Sequence, residues 1–178
     1  MKILALDLGT VTGWATDVSG KLEYGETDFS LHRGESPGMR FHNFNVWLRR
    51  MCCPTPFSDV NTSLVDLVVY EMPHVRGGAA NDVLTGMATR VHEFCATHES
   101  RRAAQPVDYE MVHSATLKKY ATGKGNADKE AMRAAAVAAL GVIPEGSVDM
   151  KWAHAMDAMT DNMADALWIY WRAKAIRG

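Results

Sequence analysis

Two short apolar segments, each ending in an acidic residue, constrain the fold of this chain most. One runs from Lys2 to Asp7 and the other from Leu64 to Glu71, and both are nearly continuously apolar. Segments of this length and composition are typical of strands that are covered on both faces, as in the parallel part of an α/β sheet. We therefore expect two buried strands with Asp7 and Glu71 at their carboxyl ends.

The remaining sequence alternates between strand and helix patterns. Two strand-like stretches separated by Ser19-Gly20 follow the first strand and predict a three-stranded meander. Helical spacing of apolar residues and glycine or proline stops then outline four helices and one more strand. The predicted elements are strands Gly13–Asp17, Lys21–Phe29 and Val107–Val112, helices Pro37–Met51, Ala79–Thr97, Lys129–Leu140 and Asp157–Ile176, and a loop at Lys124–Asp128. This order predicts an α/β fold with three layers and a mixed sheet.

Length and composition narrow the class of protein. The chain has 178 residues, which suits a single domain over residues 1–178. A hydrophobic content of 47%, with no apolar run near the ~18–20 residues that span a bilayer, excludes disordered and membrane-spanning classes. The start of the chain resembles a strand more than a secretion signal, so we expect a cytoplasmic protein. The three cysteines, two of them adjacent, are interpreted as structural thiols.

Charge is unevenly distributed although the net charge is only −2. Residues 101–133 hold seven Lys or Arg against four acids, whereas residues 141–165 hold five acids against one Lys. A basic stretch beside an acidic one suits a polyanion held next to metal ions. Two ordinary solvated faces explain the same pattern equally well.

Four carboxylates are candidates for chemistry. Ligands of open α/β sheets bind beyond the carboxyl ends of the strands, so Asp7 and Glu71 would share a crevice if their strands are neighbours. Asp161 and Asp165 are four residues apart and therefore lie on one helix face. Carboxylates this close raise each other's pKa unless a divalent cation lies between them, and oxygen ligands suit Mg²⁺ or Mn²⁺. The alternatives are a turn cap for Asp7 and the polar stripe of an amphipathic helix for Asp161 and Asp165.

The order of these motifs resembles the RNase H-like nucleases and, within them, the RuvC-type Holliday junction resolvases, especially the phage-encoded branch. Four segments carry the resemblance: Ile3–Ala15, Val68–Pro73, Leu117–Met132 and Asp161–Leu167. The resemblance implies an RNase H-like three-layer fold with a mixed five-stranded sheet flanked by helices. It also implies a metal-dependent endonuclease that resolves four-way or otherwise branched DNA, acts as a homodimer and works in the cytosol of a bacterium or a phage-infected host.

The resemblance further implies a site with two Mg²⁺ ions, for which Mn²⁺ is a substitute. Asp7, Glu71 and Asp165 match the family's metal ligands. The partner of Asp165 falls on Asn162, where the family has an acid, so either Asn162 coordinates through its carbonyl oxygen or Asp161 takes the role. We favour Asp161, as a ligand or as a group that supports the ligands, because a site with two cations needs its negative charge. Lys118 and Lys129 match two basic residues that approach the scissile phosphate.

DNA contacts are expected on two loops. Residues 122–126 (Thr-Gly-Lys-Gly-Asn) let the backbone approach a phosphate closely, with Lys119 and Lys124 adding positive charge, although a plain connector explains the segment equally well. The Walker A spacing is absent, so we infer no binding of nucleoside triphosphates. In the loop after Glu71, His74 takes the position of the aromatic wedge of related resolvases, and Arg76 is placed to contact phosphate or stack on a base.

Two other functions remain open. The Asp-Leu-Gly-Thr opening at Asp7 also resembles YqgF-type nucleases that process ribosomal RNA. A binding module for branched DNA without catalytic activity is favoured by the departure at Asn162. The sugar kinases and actin-like ATPases share the fold but need two such lobes, which 178 residues do not supply.

Overall fold

A five-stranded mixed sheet lies at the centre of the computed structural model, which describes residues 1–53, 61–73, 78–141 and 159–178. The strands in chain order are β1 Ile3–Asp7, β2 Val11–Thr16, β3 Glu23–Asp28, β4 Thr62–Ser63, β5 Leu67–Glu71, β6 Glu99–Ser100, β7 Gln105–Pro106 and β8 Asp108–Val112. The main sheet has the order β3-β2-β1-β5-β8. β1 to β3 pair antiparallel, whereas β1, β5 and β8 pair parallel. The predicted meander and mixed five-stranded sheet are thus confirmed.

The two acid-terminated strands are neighbours in this sheet. Leu6 pairs with Tyr70, so that Asp7 and Glu71 leave the sheet side by side, and Glu71 pairs in turn with Val112. Residues 3–6 of β1 are fully buried, as expected of a central strand. The parallel pairing therefore brings acids that are 64 residues apart in sequence to one edge of the sheet.

In the described part of the chain, five helices cover the two faces of the sheet, which confirms the three-layer plan. They are α1 Gly38–Cys52, α2 Ala79–Thr97, α3 Ser114–Thr122, α4 Lys129–Gly141 and α5 Asp161–Arg177. Alternate residues of β1 point to opposite faces: Ile3 and Ala5 pack with α3, α4 and α5, whereas Leu4 and Leu6 pack with α1 and α2.

α2 packs on the chain's own sheet through part of its apolar face. Met87 and Val91 are fully buried in the core that α2 shares with α1, and Val83 and Leu84 lie half-buried at its margin.

All three cysteines are free thiols, and burial raises the pKa of the Cys95 thiol to about 12.

Two features were not predicted from the sequence. Helix α3 buries one apolar side chain deeply, Leu117, so it carries no apolar stripe that a periodicity argument could detect. It ends at Gly123, whose φ of 77° is the left-handed conformation that glycine adopts without strain. A second, three-stranded sheet (β4-β6-β7) was also missed, because its strands have two residues each.

The last helix begins later than predicted. Residues 159 and 160 are not helical, and Thr160 is the N-cap of α5, its hydroxyl accepting a hydrogen bond from the Met163 amide at 3.2 Å. Asp157, the predicted first residue, lies outside the described residues. The side chain of Thr160 competes with the helical hydrogen-bonding pattern and so fixes the start of the helix.

Gly13 of β2 lets the first turn of α5 lie against the sheet. A Cβ at this position would overlap the backbone carbonyl of Asn162. Only glycine permits so close an approach of two backbones. Gly13 therefore sets the distance between the sheet and the helix that carries Asp161 and Asp165.

Within the described part of the chain, no helix combines the length and the apolar character needed to cross a membrane.

Candidate active site

Four carboxylates from three elements surround one cavity of about 160 Å³. Asp7 comes from the end of β1, Glu71 from the end of β5, and Asp161 and Asp165 from the first two turns of α5. Lys118 of α3 and Lys129 of α4 complete the charged lining, together with Ser114 and Met132. The structure thus brings together all six residues that the sequence suggested for catalysis.

Asp7 is held in an environment that opposes its ionisation. Burial raises the pKa of its carboxyl well above the usual value, and the nearby charges of Asp165, Glu71 and Asp161 raise it further. Lys129 acts in the opposite direction but does not compensate. The floor of the cavity is therefore a place where additional positive charge is stabilised.

The surroundings of Asp165 also carry an excess of negative charge. Burial, followed by the charges of Glu71 and Asp161, raises the pKa of Asp165 to about 6, against the lowering influence of Lys118 and Lys129. Two lysines therefore do not neutralise four acids in this cavity. Perturbed carboxylates that converge in a cleft are a common property of catalytic and metal-binding sites.

The donor set fits a hard divalent cation. The cavity offers carboxylate oxygens and a hydroxyl, which are the ligands that Mg²⁺ and Mn²⁺ prefer, and none of the described residues that line it is a histidine or a cysteine of the kind that binds zinc. Over the described residues, no group of three or more His, Cys, Asp or Glu side chains is already arranged as a metal site. Uncompensated carboxylates repel one another, so we expect small side-chain movements to close the site around an ion.

Asp161 and Asn162 point to different partners. The Asp161 carboxylate faces α4, where its Oδ2 lies 3.0 Å from Lys129 Nζ and its Oδ1 lies 3.3 Å from Arg133 Nε. Asn162 instead directs its amide towards β3, with Nδ2 3.5 Å from Glu26 Oε2, and it does not line the cavity. Of the two candidates for the fourth acidic position, Asp161 is the one placed at the cavity.

The predicted DNA-binding lysines divide into two groups. Lys118 and Lys129 line the cavity, whereas Lys119 and Lys124 are exposed beside it, at the end of α3 and in the loop that leads to α4. Asp128 caps α4 by accepting a hydrogen bond from the Ala131 amide at 2.8 Å. This cap leaves Lys129 at the first helical position, facing the carboxylates.

His74 and Arg76, the other two residues suggested for DNA contact, lie outside the described residues.

Sequence reasoning missed three residues at the site. Ser114 and Met132 line the cavity, and Arg133 contacts Asp161. Two signals could have found them: Ser114 follows the third parallel strand at the same sheet edge, and Arg133 is four residues after Lys129, which is one helical turn. Nothing in the sequence marks Met132 as different from an ordinary core residue.

No protein-family model matches the sequence, and no curated protein matches it significantly. Solved structures do match the fold. RuvC of Thermus thermophilus in complex with a Holliday junction substrate has a TM-score of 0.61 at 16% identity, covering 95% of this chain and 90% of that chain. Another Thermus thermophilus RuvC structure has a TM-score of 0.60 at 16% identity, with coverages of 98% and 97%.

The yeast mitochondrial Holliday junction resolvase Ydc2 also shares the fold. Its TM-score is 0.56 at 10% identity, and the match covers 97% of this chain and 80% of that chain. The likeness therefore extends over nearly the whole chain, while the identities are so low that it shows the fold alone. The chain has a RuvC-like α/β fold, and its activity has to be argued from the site.

Proposed function

We propose, from a fold shared with Holliday junction resolvases, that this chain is a metal-dependent endonuclease that cuts four-way or otherwise branched DNA. The observation that carries the proposal is the convergence of Asp7, Glu71 and Asp165 on one cavity that also holds Lys118 and Lys129. Acids that bind cations and lysines that bind phosphate are the two components that phosphodiester hydrolysis needs.

The carboxylates would hold the ions. Asp7, Glu71 and Asp165 are the proposed ligands of two Mg²⁺ or Mn²⁺ ions, with Asp161 as a further ligand or as a group that supports them. Bound divalent ions supply activation of a water nucleophile and stabilisation of the negative charge that develops on the phosphate. The raised pKa of Asp7 and Asp165 supports this role, because a bound cation would stabilise the charged carboxylates against the burial and the mutual repulsion that raise it.

The lysines would position the DNA. Lys118 and Lys129 contact the scissile phosphate in this proposal, since both line the carboxylate cavity. Lys119 and Lys124 extend the positive surface along the neighbouring backbone. His74 and Arg76, which lie outside the described residues, are proposed as further DNA contacts, the first by stacking on a base and the second by contacting phosphate or stacking. Phosphate contacts of this kind fix the position of DNA without reading its sequence.

Hydrolysis would leave a 5′-phosphate and a 3′-hydroxyl with no covalent enzyme intermediate. Cutting two strands of a symmetric junction calls for two active sites related by a twofold axis. We therefore propose that the active form is a homodimer. Size-exclusion chromatography with light scattering measures this directly.

The proposal is tested by incubating the protein with a labelled four-way junction, a linear duplex and a structured RNA, with Mg²⁺, with Mn²⁺ and with a chelator. We expect cuts in the junction only, and only with a divalent ion. Comparing several salt concentrations separates true selectivity from backbone attraction, which weakens steeply with salt. Tight junction binding without cleavage under any of these conditions would contradict the proposal and favour a binding module, and cleavage confined to RNA would favour an RNA-processing nuclease.

A further inference from the structure

Both oxygens of the Asp161 carboxylate are engaged by cations of α4. Lys129 Nζ lies 3.0 Å from Oδ2 and Arg133 Nε lies 3.3 Å from Oδ1. Lys129 and Arg133 are one helical turn apart and so reach α5 from the same face of α4. The proposed function gives a role to Lys129 and Asp161 but none to Arg133.

Lys129 and Arg133 differ in their exposure and in how they contact Asp161. The Lys129 side chain is 78% exposed, and an ammonium group has three N–H donors, so it can contact Asp161 and a phosphate together. The Arg133 side chain is 46% exposed and meets the carboxylate through Nε. Because Arg133 contacts Oδ1 of Asp161, only Oδ2 of that carboxylate contacts Lys129.

Arg133 also offsets charge at the rim of the cavity. Asp161 adds to the repulsion that Asp7 and Asp165 experience. A guanidinium group stays charged at every relevant pH and therefore compensates Asp161 permanently. DNA bound as proposed would meet Lys129 and Arg133 instead of an uncompensated carboxylate.

We infer that Arg133 is a positioning residue for the cleavage reaction: it holds Asp161 against α4 and thereby leaves the Lys129 ammonium available to the scissile phosphate. This inference rests on the proposed function and extends it to a residue that contacts neither the ions nor the reacting atoms. Two other roles are possible for such an arginine, a packing link between α4 and α5 or a direct phosphate contact, and the three roles give different results.

The experiment compares Arg133→Gln and Arg133→Lys with the wild type and with Arg90→Gln. Arg90 is a matched control because its side chain has a similar exposure, 39%, and forms an ion pair, 2.8 Å to Glu93, on α2, which does not line the cavity. Calorimetry gives the Mn²⁺ dissociation constant of the protein without DNA. Single-turnover cleavage at saturating junction and junction binding in chelator give the rate and the affinity separately.

Removing the guanidinium should raise the affinity for Mn²⁺ and lower the rate of cleavage. Arg133→Gln uncovers the charge of Asp161, so we expect Mn²⁺ to bind about two- to fivefold more tightly, the range of a partly exposed ion pair. Cleavage should slow more than junction affinity falls, because Lys129 is drawn to the uncovered carboxylate. Arg133→Lys keeps the charge and should retain the Mn²⁺ affinity of the wild type and recover most of the rate.

Asp161→Asn completes a double-mutant cycle. If Arg133 acts through Asp161, adding Arg133→Gln to Asp161→Asn leaves the Mn²⁺ affinity unchanged. An equal effect of Arg133→Gln in both backgrounds would overturn the inference, because Arg133 would then act on the ions independently of Asp161. An unchanged Mn²⁺ affinity together with weaker junction binding would overturn it in favour of a direct phosphate contact. Weaker Mn²⁺ binding together with a lower free energy of unfolding would overturn it in favour of a packing link.

These results separate the inference from the proposed function. A wild type that binds Mn²⁺ but cuts no branched DNA would refute the nuclease proposal and with it the role of Arg133 in cleavage. The cycle in Mn²⁺ affinity would still decide whether Arg133 holds Asp161. A wild type that cuts junctions while the cycle shows no coupling would leave the nuclease proposal intact and refute the inference alone.

Discussion

Replacing Asp165 by Asn should make the metal-free protein more stable while removing its proposed activity. The pKa of Asp165 rises from the usual 3.8 to about 6 in the folded protein, chiefly through burial and the charge of Glu71. A shift of this size corresponds to about 3 kcal/mol between the two protonation states. Asn has the same shape without the charge, so it avoids most of this cost.

The size of the effect depends on pH. Because the folded pKa lies above the unfolded one, the Asp165 carboxyl costs no stability below about pH 4, where it is protonated in both states. The cost grows as the pH rises towards about 6 and is complete above that value. The advantage of Asp165→Asn should therefore be near zero at pH 4 and largest at pH 7–8.

The assay is thermal unfolding in chelator at pH 4, 6 and 8. Since the amide still has to be desolvated, we expect about 2 kcal/mol at pH 8, which for a chain of this size is about 4–8 °C in Tm. Adding Mn²⁺ should raise the Tm of the wild type and leave that of the variant nearly unchanged. Asp82→Asn, at an exposed position in the first turn of α2, is the control and should gain nothing.

Two results would refute the reasoning. A variant no more stable than the wild type at pH 8 would mean that burial and the neighbouring acids do not destabilise the charged form of Asp165 in solution. An equal gain at pH 4 and pH 8 would mean that the advantage of Asn comes from packing or hydrogen bonding, not from the missing charge.

Four further substitutions test the site and its support. Asp7→Asn and Glu71→Gln should each abolish Mg²⁺-dependent cleavage of a four-way junction while leaving its binding in a gel-shift assay nearly unchanged; full activity in either would remove the proposed metal site. Lys129→Ala should lower the single-turnover rate more than the junction affinity, and a loss of affinity alone would reduce Lys129 to a phosphate anchor. Gly13→Ala should lower the free energy of unfolding by about 1–3 kcal/mol in denaturant titrations, because its Cβ overlaps the carbonyl of Asn162; an unchanged stability would show that α5 can move away.

Local sequence patterns predicted most of the fold. The apolar runs that end at Asp7 and Glu71, the meander and the long amphipathic helices depend on periodicity within ten to twenty residues, which is visible in the sequence. Helix α3 and the small β4-β6-β7 sheet escaped prediction because they are too short or too polar for such a pattern. The start of α5 was misplaced because the N-cap at Thr160 outweighs the apolar pattern there.

The candidate site, like the fold, was predicted in part from local sequence and decided in part by the tertiary structure. The sequence alone determined which residue types could perform the chemistry, since acids after buried strands are recognisable one segment at a time and the resemblance to a family supplied the two lysines. Only the tertiary structure decided that β1 and β5 are neighbours, that Asp161 faces the cavity while Asn162 faces Glu26, and that Arg133 reaches Asp161. The reason is physical: these choices depend on strand pairing and on the angle at which α4 and α5 pack, and both are set by contacts between segments far apart in the chain.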